Sequence, residues 1–246
     1  MGERNNRWMV PHPTVESDSF FALIPEAFVY PLRGNGKYLL LMGAVLLSIL
    51  GLMCMVPIYG FLATFLILGY MASFMFEVVA QSASGHVDMP RWPSLTSFYD
   101  DVFVPAAWLI VTFATCMLPF IALLIWGHAV DRDIGPATGI LRVVGLACFP
   151  MALLGVALNR TVSALNPLAI VAGIARVPLE YAAICTLFVG ISAVRALALP
   201  SLIASGPFLG YLLQNGVWIY LTTVQMRLLG LLYYTKADAL GWFAVE

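Results

Sequence analysis

Long uncharged apolar runs, separated by very short breaks, constrain this chain more than any other feature of its sequence. The first run extends from Tyr38 to Val56 and contains no charged residue. Because a helix needs about 20 apolar residues to cross the hydrocarbon core of a bilayer, this run predicts a transmembrane helix. A second run, Phe61 to Ala80, begins after a four-residue break and has Glu77 as its single charge. A break this short predicts an antiparallel helical hairpin.

Four further apolar runs follow, so we predict six spanning helices arranged as three hairpins. The charged residues make up only 10% of the chain, whereas soluble domains contain about 25%. The predicted fold is therefore an all-α integral membrane protein with a single six-helix domain, residues 38–234, between a segment 1–37 and a short tail 235–246. The six predicted spans are residues 38–56, 61–80, 102–126, 140–158, 181–199 and 208–234.

The distribution of lysine and arginine predicts the orientation of these helices, since basic residues accumulate on the cytoplasmic side. With the N-terminus inside, three of the 12 basic residues fall on the outer side: Arg132, Arg142 and Arg195. We therefore expect both termini in the cytoplasm, in a multi-pass protein of the inner (plasma) membrane. The nine residues on the inner side are Arg4, Arg7, Arg33, Lys37, Arg91, Arg160, Arg176, Arg227 and Lys236.

Three segments on the inner side carry apolar residues at helical spacing. They precede the first, third and fifth spans and comprise residues 20–28, 95–103 and 168–177. Each is too short to cross a membrane, and each has an apolar face suited to the headgroup boundary. We expect three repeated units, each consisting of a cytoplasmic interfacial amphipathic helix followed by a transmembrane hairpin.

The last predicted span carries a stripe of polar and aromatic side chains on one face. An unpaired amide in hydrocarbon is energetically costly, so this stripe must face something other than lipid. Three interpretations remain open: hydrogen bonding to neighbouring helices, a polar path or cavity, or a docking surface for another membrane protein. The stripe consists of Tyr211, Gln214, Asn215, Trp218, Thr222 and Gln225.

Among the ionisable residues within or near the predicted spans, we single out three, namely Glu77, Glu180 and Arg195. They fall towards helix ends, where an ionisable group is less costly than at the bilayer centre. We therefore interpret them as interfacial charges. The two glutamates have arginines available as partners on the inner side: Arg91, Arg176 and Arg227.

The sequence lacks a recognisable catalytic or metal-binding pattern. The predicted topology places His86 and His128 on opposite sides of the membrane, so they cannot bind one metal ion or haem. Ser192 lies in a stretch that faintly resembles the serine motif of rhomboid-like proteases, but no predicted span contains a histidine to act as its base. We expect no enzymatic activity, no cofactor, no metal and, because the net charge is −1, no nucleic-acid partner.

A pattern of glycine, proline, acidic and aromatic residues runs from the second predicted span into the third. It comprises Gly69, Tyr70, Glu77, Gly85, Asp88, Pro90, Trp92, Phe98 and Asp100. In this pattern the chain resembles an uncharacterised family (a domain of unknown function) of bacterial and archaeal polytopic membrane proteins. It is also similar, more distantly, to the Yip-type multispanning proteins of membrane traffic. The first resemblance implies a compact polytopic fold and adds no catalytic residues.

Taken with the short loops, these features favour a non-enzymatic membrane subunit or scaffold. Its expected partners are the lipid bilayer and other membrane protein subunits. The alternative is a transporter or channel with a polar path along the last transmembrane helix.

Overall fold

The computed structural model describes residues 19–54, 56–93, 96–130, 135–203 and 207–242, which form helices and connecting turns without a β-strand. Short 3-10 turns follow the first and fifth helices, and a π-helical turn, Tyr99–Phe103, leads into the fourth. In chain order the α-helices are α1 (Phe20–Val29), α2 (Gly36–Met53), α3 (Pro57–Ala83), α4 (Val104–Val130), α5 (Gly135–Asn159), α6 (Pro167–Arg176), α7 (Pro178–Ile203) and α8 (Pro207–Leu240).

Each predicted span falls largely within one long helix. Within the described residues, five helices are long and apolar enough to cross a membrane: α2, α3, α4 with its π-helical turn, α5 and α7. The helix α8 is the longest, at 34 residues, but it is more polar than these five. The structure therefore supports an all-helical membrane protein, while the sixth span and the order of the hairpins stay predictions.

The segment between the third and fourth predicted spans, residues 127–139, is mostly helical in its described part. The helix α4 continues to Val130, and α5 begins at Gly135 with a proline in its first turn, a position that suits proline. Residues 127–130 and 135–139 contain no lysine, arginine, aspartate or glutamate that would favour an earlier end of α4 or a later start of α5. Residues 131–134 lie outside the described residues, as do residues 1–18 and 243–246 of the two predicted terminal segments.

The helix α8 lies at the centre of the bundle. It packs against α1, α2, α3 and α7, whereas α4 and α5 pair with each other and contact α3. Its residues 221–233 are all buried. Gly230 permits the crossing with α3, because an added Cβ would lie 2.2 Å from the Cβ of Ser82. A helix enclosed in this way is shielded by its neighbours and can carry polar side chains that an outer helix could not.

Short helices occupy two of the three segments that were predicted to be interfacial. The helix α1 buries Phe20 and Ala27, and α6 buries Ile170 and Gly173. The second segment instead enters the π-helical turn, which continues directly into α4. Asp101 fixes this start, since its carboxylate accepts hydrogen bonds from the backbone N–H groups of residues 96 and 97 at 2.8 and 2.9 Å. The second unit of the expected repeat thus has no separate short helix in its described part, and Leu95 lies outside it.

Pro150 interrupts α5 near its middle, and Tyr181 of α7 occupies the interruption. The Tyr181 hydroxyl accepts a hydrogen bond from the Met151 N–H at 3.2 Å and donates one to the Ala147 carbonyl. In a regular helix these two backbone groups bond to each other. Proline removes a donor from the helix, and a side chain inserted into the hydrogen-bond ladder bends it. This hydroxyl therefore joins α7 to α5.

Candidate functional site

One end of the polar stripe on α8 contacts α2 inside the bundle. The Asn215 Nδ2 donates to the Ser48 Oγ at 2.9 Å, and Ser48 donates in turn to the Ala44 carbonyl at 2.7 Å. Tyr211 lies against the same helix, because a Cβ added to Gly51 would come within 2.1 Å of the Tyr211 hydroxyl oxygen. These polar groups therefore face another helix of the same chain.

The other end of the stripe contacts α7 through Arg195. The Arg195 Nη2 donates to the Thr222 Oγ1 at 2.7 Å and to the Trp218 carbonyl at 3.4 Å. Gln225 is only 7% exposed. The Gln214 Oε1 is buried and has no hydrogen-bond partner in the described part of the chain. The structure thus joins Arg195 to the stripe, although the sequence pattern suggested two separate features.

The two glutamates near the ends of the spans bind close neighbours. The Glu180 Oε1 lies 2.8 Å from the Lys236 Nζ, and the Glu77 Oε1 accepts a hydrogen bond from the Gln81 Nε2 at 2.9 Å. Glu180 thus pairs with Lys236 and not with one of the arginines available on the inner side, because the end of α8 places Lys236 beside the start of α7. Arg176 instead donates to a backbone carbonyl at the end of α8.

A buried arginine, Arg227, ties α8 to the N-terminal part of the chain. It is 2% exposed and is the only charged residue in the sequence from 207 to 235. Its Nη1 donates to the His86 carbonyl at 2.6 Å, and its Nη2 lies 3.4 Å from the Glu26 Oε1. The guanidinium also lies 4.4 Å from the centroid of the Tyr30 ring, a cation–π distance. The sequence signal for this site is the single charge in an otherwise uncharged helix.

Glu26 and Tyr30 extend this arrangement, which we call the Arg227 cluster (Glu26, Tyr30, Arg33 and Arg227). The Glu26 Oε1 also pairs with the Arg33 Nη1 at 2.9 Å. The Tyr30 hydroxyl donates to the Asp88 carbonyl at 3.1 Å. Burial raises the pKa of Tyr30 to about 12, partly opposed by the positive charge of Arg227. The hydrogen bond from this phenol holds the linker that follows α3 (residues 84–93) against the end of α1.

Trp92 fixes the same linker to α2 and α3. Its ring stacks on those of Phe74 and Tyr70, with centroids 4.3 and 5.3 Å apart. Its Nε1 donates to the Leu39 carbonyl at 2.9 Å. Gly43 leaves room for the ring, because an added Cβ would lie 2.2 Å from the Trp92 Cζ2. Residues from the glycine and aromatic pattern of the sequence therefore meet where the linker crosses α2 and α3.

An open groove lies beside Trp92, at the start of α2, and has a volume of about 530 Å³. Its polar residues are Asn35, Asp88 and Arg91, which are exposed. The sequence pattern included Asp88 and Trp92 but did not identify the groove, because its walls are far apart in the chain. Its lining consists of Gly34, Asn35, Leu39, Met42, Asp88, Met89, Arg91 and Trp92.

Comparison with known proteins leaves the geometry as the basis for a functional proposal. No family model matches this chain, and neither the curated proteins nor the solved structures gave a significant match. Among the described residues, no three histidine, cysteine, aspartate or glutamate side chains form a group that could hold a metal ion.

Proposed function

We propose that this chain is a non-enzymatic polytopic subunit or scaffold of a larger assembly in the inner membrane. In this proposal α8 is a sixth span, both termini are cytoplasmic, and α1 and α6 lie at the inner headgroup boundary. The helix α8 spans 34 residues but contains one non-helical residue, Lys236. Its continuous part before Lys236 is about 43 Å long, which exceeds the hydrocarbon thickness of about 30 Å. Its central position supports the assignment, since surrounding helices shield its polar side chains from lipid.

The observation that carries the proposal is the use of the α8 stripe inside the bundle. Asn215 is hydrogen-bonded to Ser48 of α2, and Thr222 is hydrogen-bonded to Arg195 of α7. A transport path would need polar groups that face water, whereas these groups are used between helices. The stripe therefore favours the interpretation of helix packing over that of a path.

The same observation moves the proposed docking surface from α8 to α7. The outward face of α7 presents small residues about one turn apart: Ala182, Thr186, Gly190 and Ala193, all exposed. The Thr186 hydroxyl donates to the Ala182 carbonyl at 2.9 Å, so it needs no external partner. A Cβ added to Gly190 would meet no atom within 4 Å. Small residues allow a neighbouring membrane helix to approach closely, so we assign the contact with another subunit to this face.

Gentle purification from the native membrane, followed by mass spectrometry, tests the proposal. We expect a stoichiometric partner with the unaltered chain and its loss from a chain carrying Gly190→Leu and Ala193→Leu. Gly139→Leu is the matched control, because Gly139 of α5 also has no atom within 4 Å of an added Cβ. Purification of the unaltered chain without a partner would contradict the subunit proposal. A partner retained by the double variant would contradict the assignment to α7.

One observation favours the alternative of a transporter or channel. The Gln214 Oε1 and the Arg195 Nε are buried atoms without a hydrogen-bond partner in the described residues, and such atoms can mark a polar path. The purified chain should then conduct an ion or solute in liposomes, and Gln214→Leu should abolish the flux. Flux that is absent, or equal in both chains, would count against this alternative.

A further inference from the structure

The groove at the start of α2 has two chemically different parts. Asn35, Asp88 and Arg91 form a polar rim, and Leu39, Met42 and Trp92 form an apolar floor. Met42 is 52% exposed, so the floor continues onto the outer surface of α2. A ligand that fills the whole groove must therefore be amphiphilic.

The depth of the groove corresponds to the boundary between headgroups and acyl chains. The helix α2 begins at Gly36 and, along its full length, is apolar enough to cross a membrane. Six residues separate Gly36 from Met42, which places the floor about 9 Å deeper than the helix start. The headgroup layer on each side of a bilayer is about 5–8 Å thick. The rim thus lies among the headgroups, and the floor lies beside the upper acyl chains.

Hydrogen bonds hold the two walls of the groove in place. On one side of Arg91, the Asp88 carbonyl accepts from the buried Tyr30 hydroxyl at 3.1 Å. On the other side, the Trp92 Nε1 donates to the Leu39 carbonyl at 2.9 Å. The side chains of Asp88 and Arg91 are both exposed, although the backbone on either side of Arg91 is fixed. The backbone that carries the two opposite charges of the rim is therefore fixed on both sides of Arg91.

We propose that this groove binds a phospholipid whose headgroup carries a primary ammonium. The Arg91 guanidinium matches the geometry of a phosphate, and the Asp88 carboxylate accepts hydrogen bonds from the ammonium. The upper acyl chains lie along Leu39 and Met42, and Trp92 occupies the interfacial level that tryptophan prefers. A quaternary ammonium lacks N–H donors, and an anionic headgroup is repelled by Asp88, so both bind more weakly. Binding at this site does not require the partner subunit proposed above.

Native mass spectrometry of the purified full chain tests this assignment. The chain is equilibrated with equal amounts of phosphatidylethanolamine, phosphatidylcholine and phosphatidylglycerol that carry identical acyl chains. We expect retention of the first lipid over the second by about fivefold, the size of one exposed charge-pair interaction. Asp88→Asn should abolish that preference, and Arg91→Gln should weaken retention of all three lipids. Arg142→Gln, an exposed arginine on α5, is the matched control and should leave the pattern unchanged.

The remaining outcomes would overturn the assignment. Equal retention of the three lipids by the unaltered chain, or an Asp88→Asn chain that keeps the preference, would exclude recognition of the ammonium by this rim. Free phosphoethanolamine, tested at the same concentration, should not be retained because it cannot occupy the apolar floor. If phosphoethanolamine is retained as strongly as phosphatidylethanolamine, the ligand of the groove is a soluble headgroup compound and not a membrane lipid. Because the three substituted residues are exposed, the variants should elute like the unaltered chain.

Discussion

Replacing Arg227 with methionine should destabilise the bundle by about 3 kcal/mol. Methionine fills a similar volume, so the loss comes mainly from polar contacts. The hydrogen bond from the guanidinium to the His86 carbonyl, at 2.6 Å, is charge-assisted and contributes about 1.5–3 kcal/mol. The contact with the Tyr30 ring adds about 1 kcal/mol. Breaking a buried ion pair costs about 3–5 kcal/mol, because one charge is left without a partner. Glu26 still pairs with Arg33 at 2.9 Å in the variant, so we expect a loss of stability at the lower end of this range.

Unfolding in mixed micelles by increasing sodium dodecyl sulfate, followed by circular dichroism, measures this change in free energy. Arg142→Met is the control, and as an exposed substitution it should remain within about 0.5 kcal/mol of the unaltered chain. A second readout is thiol labelling of Ala27→Cys, in a chain whose four native cysteines are replaced by serine.

Ala27 of α1 is completely buried, so a cysteine at this position should react only when α1 separates from α8. We expect slow labelling with Arg227 present and fast labelling with methionine in its place. If Arg227→Met unfolds like the control and leaves the labelling rate unchanged, the Arg227 cluster does not hold α1.

Three further predictions use the same unfolding measurement. Gly230→Ala should destabilise the chain by about 1–3 kcal/mol through overpacking, since the new Cβ would lie 2.2 Å from Ser82; Gly139→Ala, where the new Cβ meets nothing within 4 Å, should stabilise it by up to about 1 kcal/mol. The pKa of Tyr30 is raised to about 12 from an ordinary value of 10.0, so the folded state favours the protonated phenol. The stability that Tyr30 contributes in this way is fully present below pH 10 and is lost as the pH rises towards 12. Tyr30→Phe should remove that part of the alkaline destabilisation, and an unchanged difference in stability between pH 8 and 11 would contradict the burial argument. Tyr181→Phe should cost about 1–2 kcal/mol because it leaves two backbone groups of α5 without their bridging hydroxyl, whereas a neutral result would mean that α5 closes its own ladder.

Local sequence patterns predicted the positions of the helices well, because hydropathy and spacing depend on neighbouring residues. The uncharged run that starts at Tyr38 lies in α2, and the apolar run around Pro150 lies in α5. Two residues of the stripe on the last helix lie inside the bundle, where Gln225 is buried and Asn215 is hydrogen-bonded to α2. Boundaries were less accurate. Helices persist through short uncharged segments such as 127–130.

The partners of the charged residues could not be predicted, because they depend on which helices become neighbours. Arg227 and His86 are 141 positions apart in the sequence, and no local spacing indicates that they meet. The same applies to Lys236, which pairs with Glu180 in place of the arginines available on the inner side. The groove depends on the docking of Trp92 onto α2, 53 positions away from Leu39. Sequence patterns identify residues that need a partner, whereas packing determines which partner they obtain.

The polarity of α8 and its central position explain each other. A helix with two glutamines, an asparagine and an arginine would be costly in direct contact with lipid. In the bundle, α2 supplies Ser48 to the asparagine, and the linker after α3 supplies a carbonyl to Arg227. The outer helices can remain almost uniformly apolar because this central helix carries the polar contacts that fix their positions. Polar side chains in a membrane helix therefore do not require a transport path where they contact a neighbouring helix, as Asn215, Thr222 and Arg227 do. Gln214, whose Oε1 has no hydrogen-bond partner among the described residues, is the position at which a flux measurement separates the scaffold from the channel.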